Sequence, residues 1–327
     1  MSKKTNFGKI NGREAMVVGI IIVMVALFSI LSPTFRTYST FVSVLDMSYY
    51  IALMAIGVTF TLITGGVDLS IGTGLICYSL FGGYLIVHKD VPVVVALIAC
   101  LVLSILIGAL NGFLVAIMDL PPFLATLCTC MITRGLGSLL SGGFGVSWPS
   151  SLEPEGWFRK IFRFTVNGKV IPIGIVVVVV LVLLMNFILK HTKIGRYTIA
   201  IGSNKEATKL AGVNVKFYHV FAYVISGFFA GLAAIAYSAT YVTIYPGSGA
   251  GFELDAIGGA IVGGVSASGG VGTIAGAFLG VLVITLMKVG LPFIGLQANW
   301  QQIFTGLVLI GAVLILSLIH ISEPTRR

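Results

Sequence analysis

A succession of apolar segments, each long enough to cross a lipid bilayer, is the feature that most constrains how this chain folds. A membrane-spanning helix needs about 20 mainly apolar residues. By that criterion we predict ten spans, near 15–32, 42–64, 71–88, 92–117, 123–141, 173–190, 218–239, 253–269, 273–290 and 300–316. The sequence therefore predicts an all-α polytopic membrane protein.

Two glycine-rich stretches, 65–75 and 263–273, interrupt the series of spans. Irregular backbone at membrane depth must be shielded by protein, so these stretches are candidates for broken or re-entrant helices. That alternative lowers the count, and we expect eight to ten spans. The segments 65–86 and 263–284 also align without gaps, which either a duplication or the chance similarity of glycine-rich apolar sequence explains. A true repeat would point to the transport path.

The composition supports a surface that faces lipid. Charged residues make up only 9% of the chain and hydrophobic residues 57%, whereas a soluble domain carries about a quarter charged residues. The net charge of +9 comes from basic residues in short loops that have no stacking aromatic residues beside them. That pattern does not fit nucleic-acid binding, and we predict none.

No motif of enzyme chemistry or cofactor binding is found. The chain lacks a G-x-x-x-x-G-K-[ST] phosphate loop, its four histidines are scattered, and its four cysteines lie inside apolar stretches. We therefore predict that the chain is not an enzyme and itself binds no metal or cofactor. If transport is driven by ATP, a partner ATPase must bind the ATP and magnesium.

Two short basic segments determine the predicted orientation, because Lys and Arg are enriched in cytoplasmic loops. The N-terminal tail carries four basic residues before residue 14, and the segment 190–216 carries six. Six predicted spans separate the two segments, so both can be cytoplasmic, with the N-terminus inside and the loop 142–172 external. That external loop itself has four basic residues, which runs against the rule.

Five polar residues near or within the spans are candidates for a translocation path or gate: Asp68, Ser70, Asn111, Glu253 and Asp255. Carboxylates at membrane depth are rare and usually functional. Structural roles are the alternative. Asp68 could cap a helix start, Asn111 could hydrogen-bond between helices, and Glu253 with Asp255 could begin a helix at the outer face.

The segment 193–217 changes from apolar to mixed composition between two predicted spans. Asn204 can cap a short helix over 205–210, and Gly212 can end it. Ala207, Leu210 and Ala211 then share one face. Such a helix suits a groove on a partner protein, although an ordinary solvated loop would also explain the segment.

Several motifs resemble those of a known family. One motif is similar to the cytoplasmic coupling loop of ATP-binding-cassette sugar permeases of the ribose, xylose and galactose type. These permeases are in the family of binding-protein-dependent transport system inner membrane components. The matching residues are Gly195-Arg196-Tyr197, Ala200-Ile201-Gly202, Asn204, Ala207 and Ala211-Gly212-Val213. Five further stretches are similar to motifs of that family and occur in the same order: GGVDLSIG (65–72), LNGFLVAIMDLPPFLATLCTCMITRGL (110–136), ELDAI (253–257), GGVSASGGVGTIAGAFLG (263–280) and WQQ (300–302). The loop 142–172 and the residues Cys128 and Cys130 depart from the family pattern.

The resemblance implies a permease subunit in a bacterial cytoplasmic membrane. It implies a second permease copy or a sister permease around one path, ATPase subunits on the cytoplasmic side, and an extracytoplasmic sugar-binding protein on the other. The residues expected to couple to the ATPase lie in the coupling loop (191–217): Gly195, Arg196, Ala200, Gly202, Asn204, Ala207, Leu210, Ala211 and Gly212. Ribose is the expected sugar, with xylose or galactose as near alternatives.

Other classes of function predict other features. An ion-coupled secondary transporter predicts carboxylates inside the membrane, whereas Asp68, Glu253 and Asp255 fall at predicted span ends. A membrane scaffold that transports nothing needs neither a docking helix nor glycine-interrupted segments. Within the family, a permease for branched-chain amino acids is the nearest alternative.

We interpret the C-terminal segment 316–327 as different in origin from the rest of the chain. LSLIHISEPTR (316–326) is what an in-frame translation of a common transposase library adapter encodes. We therefore expect one transmembrane permease domain over 1–315, followed by an assembly scar. Resequencing the locus from a library made without that adapter tests this, and finding the same codons would contradict it.

Overall fold

The fold is known from a computed structural model, which describes residues 12–322. The described α-helices are α1 (Gly12–Leu31), α2 (Tyr38–Ile63), α3 (Ile71–Lys89), α4 (Val93–Ala116), α5 (Pro122–Leu140), α6 (Gly174–His191), α7 (Lys193–Ser203), α8 (Lys205–Leu210), α9 (Val215–Thr240), α10 (Phe252–Val262), α11 (Ile274–Gly290) and α12 (Ala298–Ser322). Short 3₁₀ helices occupy Pro33–Arg36, Pro154–Ile161 and Leu291–Ile294. The described strands form two antiparallel pairs: β1 (Val146–Ser147) with β4 (Thr243–Ile244), and β2 (Phe164–Val166) with β3 (Lys169–Ile171).

Eight of the described helices are long and apolar enough to cross a membrane: α1 to α6, α9, and α11 with the 3₁₀ turn that follows it. This confirms the predicted all-α polytopic class. The most enclosed of these helices is α2, which packs against α9, α10 and α11 at the centre of the bundle. By contrast, α1, α4 and α6 leave most of their apolar side chains on the outside, as helices that face lipid do.

Contacts between distant residues define the two sides of the bundle. On the side where α1 begins, here called the N-side, the Thr273 hydroxyl donates to Glu14 at 3.2 Å and the Gly270 N–H donates to the Ile63 carbonyl at 2.8 Å. On the far side, β1 pairs with β4, and the Tyr38 hydroxyl donates to the Val170 carbonyl at 2.7 Å. The N-side therefore holds the ends of α2 and α7 and the start of α11, while the loop 142–172 covers the far side.

α10 is too short to cross a bilayer, so the predicted span 253–269 is wrong. It runs over 11 residues, which is about 16 Å at 1.5 Å per residue. Gly264 ends it with a left-handed backbone at φ +93°, and the Gly264 and Val265 N–H groups donate to Ile261 and Ala260. The stretch that follows, up to α11, is irregular, as the re-entrant alternative predicted.

The two glycine-rich turns share one backbone geometry. After α2, Gly65 adopts φ +81°, its N–H donates to Leu62, and the Gly66 N–H donates to Thr61. Gly264 and Val265 make the same pair of bonds at the end of α10. By this geometry Gly65 corresponds to Gly264, whereas the ungapped sequence alignment pairs Gly65 with Gly263. The shared geometry supports a repeated turn.

The basic residues of the loop 142–172 have structural partners, which explains why they occur on the far side. The buried Arg159 side chain donates to the carbonyls of Pro149 and Ala239, at 2.6 and 3.0 Å. Arg163 donates to the Thr240 carbonyl and pairs with Asp46 at 3.3 Å. Both cations thus satisfy carbonyls at the end of α9, where positive charge is favourable. Burial lowers the pKa of Arg159 to about 10, so the side chain stays charged at neutral pH.

Two predictions concern the ends of the chain. Lys3, Lys4 and Lys9 of the basic tail lie outside the described residues, as do 323–327. α12 continues from the predicted span 300–316 to Ser322. The division into a native domain over 1–315 and a scar after it stays a prediction.

Candidate functional site

The coupling loop (191–217) begins with a helix that the sequence analysis missed. α7 starts after Thr192, whose hydroxyl accepts from the Gly195 N–H at 3.4 Å. Its buried residues are Gly195, Thr198 and Ile201. Residues three apart lie on the same face of a helix, so these three share one face. That spacing is the local signal that could have revealed α7.

α7 is anchored to the membrane helices along this buried face. Gly195 lies directly against the backbone of Leu189, so a side chain at this position would overlap the end of α6. Tyr197 stacks edge-on with Tyr218 of α9, with ring centroids 4.9 Å apart. Arg196 points outward, and Ala200 accepts a hydrogen bond from the Asn204 N–H at 2.9 Å. Displacement of α7 would therefore move α6 and α9 with it.

α8 is the exposed part of the coupling loop, and it forms where the sequence predicts a short helix. The Asn204 side chain accepts from the Ala207 N–H at 2.9 Å, and Gly212 follows the helix at φ +80°. Ala207, Leu210 and Ala211 are all exposed, and Leu210 is 89% exposed. The exposed face predicted for α8 is therefore present, and its role in docking a partner stays a prediction.

The end of α7 meets both glycine-rich turns at one point on the N-side. A Cβ atom on Gly202 would overlap the carbonyl oxygen of Ile63, the last residue of α2. The same carbonyl accepts from the Gly270 N–H at 2.8 Å, and Gly269 and Gly270 have left-handed backbones against Gly65 and Ser203. We call this contact of Gly202, Ile63, Gly269 and Gly270 the glycine junction. Because no side chain separates the backbones, movement of α7 passes directly to α2 and to the loop before α11.

Of the residues in the glycine junction, only Gly202 was predicted to be functional. Ile63, Gly269 and Gly270 are more than 60 residues away from it in the sequence. The glycine-rich stretches were predicted to be broken or re-entrant helices, but nothing local in the sequence shows which backbones they contact.

A second cluster gathers three of the predicted path residues inside the bundle. Asp68 is 1% exposed, and its carboxylate accepts from the Ser70 N–H at 3.0 Å, the Ser70 hydroxyl at 2.7 Å and the Ser226 hydroxyl at 2.7 Å. Asn111 donates to the Ser70 hydroxyl and accepts from the Thr129 hydroxyl, each at 2.8 Å. The cluster thus connects the loop before α3 with α4, α5 and α9. Its role in a gate stays a prediction, and the bonds support a clamp between four elements.

Replacing Asp68 by alanine is expected to loosen this clamp. The change removes the acceptor for four hydrogen bonds, of which the one from the Asn111 amide is the longest at 3.5 Å. We expect the free energy of unfolding in detergent to fall by about 2–3 kcal/mol. Asp68→Asn keeps one acceptor oxygen and should cost about half as much. Glu155→Ala, at an exposed acid in the far-side loop, is the matched control. Equal stability of the Asp68→Ala and wild-type proteins would contradict the clamp.

Glu253 and Asp255 lie in the first turn of α10, as the helix-start alternative predicted. The ion pair between Asp255 and Lys288 connects α10 to α11. Glu253 lies against Gly72, and its Oε2 is buried without a hydrogen-bond partner among the described residues.

The carboxylates expected at span ends lie at helix ends, but two of them are not at the surface of the protein. Asp68 and Asp255 are buried within the bundle. The glycine-rich turn that begins at Gly65 places Asp68 beside α4 and α9, and the turn at Gly251 is where the short α10 starts. Both acids therefore lie at helix ends that are inside the protein.

The described residues thus form a bundle of eight helices able to cross a membrane, with a short exposed helix on one side that a backbone junction links to the bundle. The chain belongs to the family described as branched-chain amino acid transport system / permease component, whose sequence profile matches residues 40–313. This confirms the family resemblance recognised from the motifs.

Relatives in that family are named as permeases for several sugars. The ribose import permease protein RbsC of Escherichia coli (strain K12) is 34% identical over 302 residues, which cover 90% of this chain and 91% of that protein. The fructose import permease protein FrcC of Rhizobium meliloti is 30% identical, covering 90% and 82%. The galactose/methyl galactoside import permease protein MglC of Haemophilus influenzae is 31% identical, covering 91% and 92%. No solved structure matches the chain significantly.

Proposed function

We propose that this chain is the membrane-spanning subunit of an ATP-driven importer for a simple sugar, and that ribose is the first substrate to test. The observation that carries the proposal is the exposed α8, with Leu210 at its surface, joined to α2 through the glycine junction. The 34% identity to a ribose import permease over 90% of the chain supports the choice of sugar.

The proposal assigns a side of the membrane and a partner to each end of the bundle. The N-side is cytoplasmic, because it carries Arg13 of α1 and the lysines of α7 and α8, and basic residues are enriched on the cytoplasmic side. ATPase subunits dock on α8 there and bind the ATP and magnesium. An extracytoplasmic sugar-binding protein docks on the far side, and the sugar passes between this chain and a second permease subunit. The described residues contain no cluster able to hold a metal ion.

The mechanism follows from the contacts on the N-side. Closure of the ATPases moves α8 and hence α7, whose buried face is anchored on α6 and α9. The glycine junction then passes the displacement to the end of α2 and to the loop before α11. An external partner can only shift a conformational equilibrium through contacts that differ between the two states, and the junction is where such a difference reaches the membrane helices.

Uptake by proteoliposomes tests which solute is carried. The chain is reconstituted with an ATPase that co-purifies with it and with a sugar-binding protein, and uptake of labelled ribose, xylose, galactose, fructose and leucine is compared. We expect ATP-dependent ribose uptake that unlabelled ribose suppresses. Uptake of another sugar and not of ribose would make that sugar the proposed substrate. Uptake of leucine and of no sugar would favour the branched-chain amino acid alternative that the family description suggests.

A further inference from the structure

A cavity of about 460 Å³ lies on the N-side, between α8 and the neighbouring ends of α4 and α9. Its walls come from the end of α4 and the residues that follow it, from α8, and from the start of α9. Its described lining includes neither the predicted path residues nor the exposed face of α8. Binding sites for small molecules enclose about 300–1,000 Å³, so the cavity has room for a ligand of that size.

The charged side chains of the cavity favour an anion. Three lysines line it, Lys205, Lys209 and Lys216, together with two carboxylates, Asp119 and Glu206. All five side chains are exposed, and none is in an ion pair with the residues that the structure describes. The lining therefore has an excess of one positive charge, which a ligand with one negative charge balances.

His219 adds a buried polar group to the same cavity. Its side chain is 8% exposed, and its Nε2 atom has no hydrogen-bond partner among the described residues. A buried polar atom without a partner costs free energy, and an imidazole N–H can donate to an oxyanion. Val215 and Lys216 lie in the first turn of α9, whose N–H groups have no partner within the helix and favour an anion.

Apolar side chains of the membrane helices surround this polar lining. Met118, next to Asp119 in the chain, is 59% exposed, and Phe217, next to Lys216, is 57% exposed. Both lie at the ends of helices able to cross the membrane, where apolar side chains on the outside contact lipid. Basic pockets between such helix ends suit the phosphate of a lipid headgroup.

We propose that this cavity binds the phosphodiester headgroup of an anionic membrane lipid of the phosphatidylglycerol type. The phosphate lies against the three lysines and the start of α9, and His219 donates a hydrogen bond to one of its oxygens. The glycerol hydroxyls donate to the carboxylates of Asp119 and Glu206. The acyl chains leave the cavity along the apolar surface at Met118 and Phe217. A single negative charge on the phosphodiester matches the excess positive charge of the lining.

The bound headgroup would hold α8 in place from its membrane side. Lys205 and Lys209 are four residues apart and share one face of α8. At about 100° per residue, that face is opposite to the exposed face predicted to dock a partner. A lipid under α8 therefore supports the helix without covering its docking face. This effect on coupling rests on the proposed function, whereas the lipid site itself does not.

Native mass spectrometry of the full chain in detergent tests the site. Phosphatidylglycerol or phosphatidylcholine is added, and the bound lipid is counted. We expect phosphatidylglycerol to be retained in preference to phosphatidylcholine. Replacing Lys205, Lys209 and Lys216 together by glutamine should weaken its binding on the order of 100-fold, because each lysine near the bilayer surface attracts an anionic lipid.

The matched control makes the same charge change on the far side. Lys89, Lys160 and Lys169 are exposed there, and replacing all three by glutamine should leave the retained phosphatidylglycerol unchanged. Equal retention of the two lipids by the wild-type chain, or equal losses in the two triple variants, would overturn the proposal. Displacement of phosphatidylglycerol by millimolar inorganic phosphate would overturn it too, since the site would then take a soluble phosphate.

His219 is tested by two substitutions of different chemistry. His219→Phe keeps a ring but removes the donor, and it should weaken phosphatidylglycerol binding about 10-fold or more. His219→Gln keeps an N–H donor and should retain most of the binding. Wild-type binding by His219→Phe would contradict the hydrogen bond, and circular dichroism shows whether either variant has lost its helices.

The two proposals fail in different ways. If phosphatidylglycerol is retained by the wild type and lost from the lysine variant, but no ATP-dependent uptake is found, the lipid site stands and the transport function is wrong. If uptake is ATP-dependent but the two lipids bind equally, the function stands and the lipid site is wrong.

Discussion

Replacing Leu210 by aspartate is expected to separate the chain from its ATPase while leaving the membrane domain folded. Leu210 is 89% exposed in α8 and makes no core contact in the chain, so folding does not depend on it. At a docked apolar surface, an unpaired carboxylate costs about 2–5 kcal/mol, which lowers affinity roughly 30- to 5,000-fold. The fraction of ATPase that co-purifies with the tagged chain measures the effect, and uptake should fall with it.

Leu152→Asp is the matched control for this experiment. Leu152 is 95% exposed, but it lies in the loop that covers the far side, away from α8. It should leave the co-purified ATPase unchanged. Normal ATPase binding by Leu210→Asp, or equal loss in both variants, would contradict docking at α8.

Replacing Gly202 by alanine is expected to uncouple transport while the ATPase stays bound. The added Cβ atom would overlap the Ile63 carbonyl, so α7 and the end of α2 must move apart. Overpacking of this kind costs roughly 1–3 kcal/mol, equivalent to a change of about 5- to 150-fold in a conformational equilibrium. We expect sugar uptake to fall within that range, and ATP hydrolysis to continue without the dependence on sugar and binding protein.

Gly19→Ala separates the effect of the junction from that of a glycine substitution in general. Gly19 is in α1, and a Cβ atom there meets nothing within 4 Å. Alanine is favoured over glycine inside a helix by roughly 0.5–1 kcal/mol, so this variant should transport normally. Wild-type uptake by Gly202→Ala, or loss of the ATPase together with uptake, would contradict transmission through the glycine junction. Thermal unfolding in detergent shows whether either variant has lost its fold.

The sequence predicts features that depend on neighbouring residues. Apolar runs predict the spans, and Asn204 with Gly212 predicts the two ends of α8, because capping and left-handed turns act within a few residues. The same local reasoning predicted a helix start at Glu253 and Asp255. It also placed Asp68 and Asn111 among the functional candidates, without showing that they meet.

Features that depend on distant contacts could not be predicted. α10 is apolar enough to continue past Val262, but Gly264 ends it where the backbone turns back. The glycine junction joins residues from three parts of the chain, and no local pattern identifies which backbones come together. Arg134 belonged to a recognised motif, but its exposure follows from the packing of α5 against α3 and α4.

The measurement that tests the central claim most directly is sugar uptake into proteoliposomes whose ion gradients have been collapsed by ionophores. The interior of the bundle holds carboxylates of the kind that ion-coupled carriers use, so the energy source separates the two classes of transporter. If the chain is the permease of an ATP-driven importer, uptake continues under these conditions with ATP and the ATPase present. It stops when either is omitted. Uptake that needs an ion gradient and proceeds without the ATPase would contradict the account and identify a secondary transporter.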